Sequence, residues 1–216
     1  MFAAPGKLSL DFCHGIRKKY FKPLSFYLLV IIIYLIFPLF EGLNIKLKYH
    51  YNSPYGQYAH EMAEAVKEKR NYTEEALTEK FHYKSEKTSK FLLFLLLPFM
   101  ALVSYAMAFR KNRYYYDHFI FSTETLSFFI LFGFLLLPLL VRGMYIAGMT
   151  WINSEIVIGI ILYGLFAVYA SLAAGRFFNL RLGWRILYGT VFSMLLFVFL
   201  IFVYRLVLFW VVIHLL

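Results

Sequence analysis

Asp117, His118 and Glu124 fall within eight residues of one another in an otherwise apolar stretch. A carboxylate near an imidazole is equipment for moving protons, and an ionisable group inside a membrane segment marks either a relay or a structural pair. On a helix, positions 117 and 124 share a face while 118 points elsewhere. This spacing argues against a single catalytic cluster. Glu124 lies five residues into the run that opens at Phe119, about 8 Å along a helix axis. At that shallow depth it is expected to anchor at the interface or pair with Arg110, Arg113, Arg176 or Arg185. Arg205 lies nineteen residues beyond Ile186, about 28 Å away. It is therefore expected at the opposite end, within reach of Glu41 and Glu155 or snorkelling to lipid headgroups.

His60-Glu61-Met62-Ala63-Glu64 approaches the HExxH zinc pattern, in which two histidines on one helix face hold the metal. Glu64 occupies the second ligand position. The stretch therefore reads as a solvated helix face, with no metal and no cofactor expected. A single cysteine, Cys13, excludes internal disulfides and thiolate clusters.

The elements that must position these residues follow from composition. Of 216 residues, 62% are hydrophobic, 21% aromatic and 16% charged, with a mean hydropathy of +0.66. Soluble domains carry roughly 45–50% apolar and about 25% charged residues, so part of this chain's solvent is lipid. Five runs approach the roughly 20 residues that cross a bilayer. The first lies between Lys22 and Glu41, the second between Lys90 and Arg110, and the third from Phe119 to Val141. The fourth covers Ile156 to Gly175 and the fifth Ile186 to Tyr204, followed by an apolar tail. The fold expected is an all-α polytopic membrane bundle of about five spans: a basic cytoplasmic tail at 1–23, span one at 24–42, an external helical loop at 43–90, and a four-span bundle with the apolar tail at 91–216. The first run reads as a retained span, because a 23-residue basic segment precedes it and no small-residue cleavage site follows.

Eleven Lys and Arg fall in the three segments assigned to one side, against two acids, Asp11 and Asp117. The net charge of +10 is thus a topology signal that places the N-terminus inside, and nucleic acid is not needed to explain it. The long loop mixes nine bases with seven glutamates. Ser53-Pro54 is expected to open one of its helices and Thr73-Glu74-Glu75 another that continues into span two. Pro38 and Pro138 fall near expected span ends, which gives a transporter with paired broken helices little support.

Pro5-Gly6-Lys7-Leu8, Gly15-Ile16-Arg17-Lys18-Lys19-Tyr20 and Lys22-Pro23-Leu24 with Tyr27 resemble the opening of the bacterial membrane-protein family called domain of unknown function 3667, found mainly among Bacteroidota. Arg113 through Tyr116, Asp117-His118-Phe119-Ile120-Phe121-Ser122 and Ser127-Phe128 resemble its later motif, and Val168-Tyr169 and Tyr204-Arg205 its weaker C-terminal marks. The resemblance implies this topology and a bacterial inner-membrane location. Many members carry a cysteine-rich zinc ribbon, which is absent from this sequence, so no zinc is carried over. Glu124 stands where the family often has a second histidine.

These features lead to a non-enzymatic accessory or scaffold subunit that packs against a larger envelope or protein-export complex, with membrane lipids and a membrane protein as partners. The alternative is a small transporter or ion channel with Glu124 and His118 in its path.

Overall fold

The computed structural model describes residues 3–16, 21–37, 46–148 and 154–216, with the side chains of Lys90 and Glu155 not among them. Every regular element among these residues is helical. Four helices are long and apolar enough to cross a membrane: Phe91–Ala108, Tyr115–Ile146, Ile156–Phe177 and Leu182–Leu215. The chain is thus an all-α membrane helix bundle. The first expected span is described only as far as Phe37, and its helix, Pro23–Ile36, has 14 residues. At 1.5 Å per residue that is about 21 Å, short of the roughly 30 Å hydrocarbon core.

The chain divides into two units, 1–40 with 96–197, and 41–95 with 198–216. Unit one contains α1 (Lys7–Cys13), α2 (Pro23–Ile36), α6 (Tyr115–Ile130), α7 (Leu137–Ile146), α8 (Glu155–Phe177) and α9 (Leu182–Val198). A six-residue π-helical segment, Leu131–Leu136, joins α6 to α7, so the third apolar run becomes one helix extending past Val141 and carrying Arg142 within it. Pro138 therefore lies inside a helix, two residues after the π segment. This differs from the expected span end.

Within unit one, α6 is central. The most apolar 18-residue stretch of the Tyr115–Ile146 span is 67% buried, against 28–39% for the corresponding stretches of the other three, and α1, α2 and α8 all pack on α6. A helix buried all round must satisfy its polar side chains internally. Thr123 and Ser127 do so by donating to the carbonyls of Phe119 and Thr123, both at 2.6 Å, and Thr125 donates to Phe121 at 3.2 Å. Close helix approach governs the α8–α9 contact, where a Cβ on Gly189 would come within 2.4 Å of the Ala167 carbonyl oxygen.

Unit two contains α3 (Leu47–Tyr51), α4 (Gly56–Arg70), the first part of α5 (Glu74–Ala108) and α10 (Arg205–Leu215). The helix expected to open at Ser53-Pro54 begins at Gly56 instead, because the Ser53 hydroxyl turns back to the His50 carbonyl at 2.5 Å. Gly56 is needed there, since a Cβ would meet the Tyr51 carbonyl oxygen at 1.9 Å. At the second start, Thr73 caps α5 by accepting from the Ala76 amide at 3.3 Å. The helix then runs 35 residues with Pro98 inside it. A second π segment, Phe199–Tyr204, leads into α10.

The apolar tail is the main departure in this unit. Leu208, Phe209, Val212 and Ile213 are fully buried. The Phe209 ring lies 5.9 Å from Phe81, 5.3 Å from His50 and 6.2 Å from Tyr55. Tyr204 donates to the Ser89 carbonyl at 2.9 Å. The tail is thus core for the polar hairpin, not spare membrane surface. F209A is expected to cost about 3–5 kcal/mol, the usual result of emptying a phenylalanine site. Hydrogen exchange should show protection lost in α3 and α4 while α6 stays protected.

Candidate functional site

Glu124 is 1% exposed, and what surrounds it is the start of α1. The Gly6 amide donates to Oε1 at 2.8 Å, and the Ser9 amide to Oε2 at 2.8 Å. The Ser9 hydroxyl reaches Oε2 at 2.6 Å, and the Tyr169 hydroxyl donates to Oε1 at 3.2 Å. All four partners are donors, which is what an acceptor-only carboxylate requires. The first amides of any helix lack internal acceptors. In a capping box they are served by the helix's own N-cap and third-position side chains. Here the N-cap is Gly6, which has no side chain, and Glu124 from another helix fills both places.

Gly6 is fixed by two constraints. Its φ is 78°, in the left-handed region, and a Cβ would lie 2.5 Å from the carbonyl oxygen of Ala173 on α8. Arg176, further along α8, donates to the Pro5 carbonyl. Pro5-Gly6 is therefore clamped between α6 and α8. The expected ion pairs of Glu124 with Arg110, Arg113, Arg176 or Arg185 are not found among the described residues; backbone amides and hydroxyls take their place, and Arg176 serves the carbonyl beside them.

His118, on the same helix, belongs to a separate network. Nδ1 lies 2.9 Å from the Ser104 hydroxyl, which accepts from Tyr188 at 2.8 Å, and Nε2 lies 3.0 Å from the Asn112 carbonyl. One arrangement satisfies every atom: Tyr188 donates to Ser104, Ser104 to Nδ1, and Nε2–H to Asn112. The ring is fully buried and stacks on Phe178 with centroids 5.1 Å apart. Asp117 accepts from the Asn112 side chain at 2.7 Å, so Asn112 ties both residues to the turn that precedes α6.

Arg113 is exposed. Arg205 belongs to unit two, where burial pushes the Tyr55 pKa above the ordinary value against the smaller opposing effects of the Ser53 hydroxyl and the Arg205 charge. Glu41, one of the expected partners of Arg205, lies outside the described residues. Within unit one, Glu124 and His118 thus belong to two separate hydrogen-bond networks.

Residues 1–35 match the family described as a protein of unknown function (DUF3667). The match covers α1 and α2, including Pro5-Gly6 and Ser9, while the later motifs lie beyond it. No curated protein and no solved structure gives a significant match.

Gly6 and Tyr169 stand in the sequence only as parts of the family-like motifs, and nothing in it points to Ser9, Ser104 or Tyr188. If Glu124 holds α1 in place, E124Q should loosen it, because the side-chain amide puts an NH2 donor in place of one carboxylate oxygen, against the amide of either Gly6 or Ser9. About 3 kcal/mol is expected from the loss of hydrogen bonds to a charged acceptor. Cys13, in α1, supplies the readout: maleimide labelling should accelerate in both E124Q and G6A. Unchanged labelling rates would show that α1 is held elsewhere.

Proposed function

We propose that this protein is a non-enzymatic accessory or scaffold subunit of a bacterial inner membrane, its N-terminus cytoplasmic, packing against a larger envelope or protein-export assembly. The observation that carries the reading is the fate of Glu124: its four donors come from the chain's own α1 and α8. The most costly group in the bundle is spent on holding the fold together. His118 is likewise enclosed, with both ring nitrogens engaged. An ion path through these two residues would need both to reach water, so their enclosure favours the scaffold over the channel.

Association surfaces remain. The most apolar 18-residue stretch of the α8 span is only 28% buried, and the helix exposes Ile156, Ile160, Leu165, Val168 and Leu172, a face suited to lipid or a partner helix. In unit two, α4 has the exposed polar residues of a folded helical surface. The buried tail residues of α10 do not add to this case.

A tag on this chain, solubilised in mild detergent, should co-isolate a stoichiometric membrane protein. A clean monomer or homodimer across several detergents would reject the scaffold reading. In intact bacteria, Cys13 should react with a membrane-permeant maleimide and not with an impermeant one. The opposite result would invert the topology.

A further inference from the structure

Halfway along its length, the helix that carries Glu124 changes its winding. Through Leu131–Leu136 it is π-helical, closed by a bond from the Leu137 amide to the Phe132 carbonyl, and Pro138 follows at once. Such bulges recur at functional sites because they displace side chains from the regular helical face. Beside this one is a cleft of about 270 Å³ walled by Gly133, Pro138, Val141, Ile158 and Leu162. Gly133 helps to shape it, since a Cβ there would stand 2.5 Å from the Leu162 Cδ1. Arg142 and Tyr145 complete the lining.

The length and polarity of this cleft identify its occupant. Arg142 is nine residues beyond Gly133, about 13 Å along the axis, close to half the roughly 30 Å hydrocarbon core. An apolar slot one leaflet deep thus leads to a guanidinium and a phenol. Arg142 is exposed, and it has no hydrogen-bond or ion-pair partner among the described residues. A guanidinium matches phosphate geometry and prefers a bidentate acceptor. A free phosphate would leave the slot empty, and a neutral amphiphile would leave Arg142 unmatched. We propose that the cleft binds an anionic phospholipid, with an acyl chain between the π segment and α8 and the phosphate on Arg142 and Tyr145.

The full-length protein in neutral detergent tests this, with native mass spectrometry and thermal unfolding as readouts. Phosphatidylglycerol should be retained and raise the unfolding midpoint. Phosphatidylcholine should bind about tenfold more weakly, and inorganic phosphate should do neither. R142Q, at an exposed position that folding tolerates, should erase the preference for phosphatidylglycerol. I158W, which fills the slot, should weaken both lipids, and R181Q, at another exposed arginine, should change nothing. Equal binding of the two lipids would overturn the proposal. So would a preference that survives R142Q, or stabilisation by inorganic phosphate alone.

Discussion

A buried carboxylate and a buried helix start each carry a cost that the other can remove. An acid withdrawn from water needs donors, and the first amides of a helix need acceptors. Glu124 and α1 meet both needs at once. Much of unit one follows from that exchange. The amides can reach the carboxylate only if Pro5-Gly6 passes tightly against Ala173, which requires glycine. Its position beside α8 brings Tyr169 and Arg176 to the same point. With α1 packed on it, α6 becomes the helix covered on most sides.

The same rule operates wherever α6 is covered. Thr123, Thr125 and Ser127 bond back to carbonyls three or four residues earlier, while the buried Ser122 hydroxyl has no hydrogen-bond partner among the described residues, and His118 is enclosed by a chain of hydroxyls ending in a loop carbonyl. Where no water is available, a polar side chain is tolerated only when its partner is built in. Most of the polar residues of this helix are therefore satisfied within the chain.

Composition and run length made the membrane helices legible, because bilayer thickness imposes a length that any sequence must meet. The start of α5 was legible too, since Thr73 with acids behind it is a local signal. Three other features were not. Residues 1–23 read as a basic tail because α1 has only seven residues, too few to register as a periodic pattern, and its stability comes from a residue 115 positions away. Charge is visible in a sequence, so the sequence points Glu124 toward cations. Backbone amides exist at nearly every position and so cannot be singled out. The start of α4 shifted because Ser53 had a nearer acceptor in His50.

The apolar excess itself had two destinations that hydropathy cannot separate. The helix from Leu182 to Leu215 has 34 residues, about 51 Å, which exceeds the hydrocarbon core by roughly 20 Å. A surplus of that size could face lipid, cover a partner or enter a core of the chain's own. Leu208, Phe209, Val212 and Ile213 take the last course, packed with His50 and Phe81 around a hairpin whose own sequence is too polar to bury itself. The polar hairpin and the apolar tail thus have complementary deficits. One lacks a core and the other lacks a cover, so segments more than 100 residues apart in the sequence form a single folded unit.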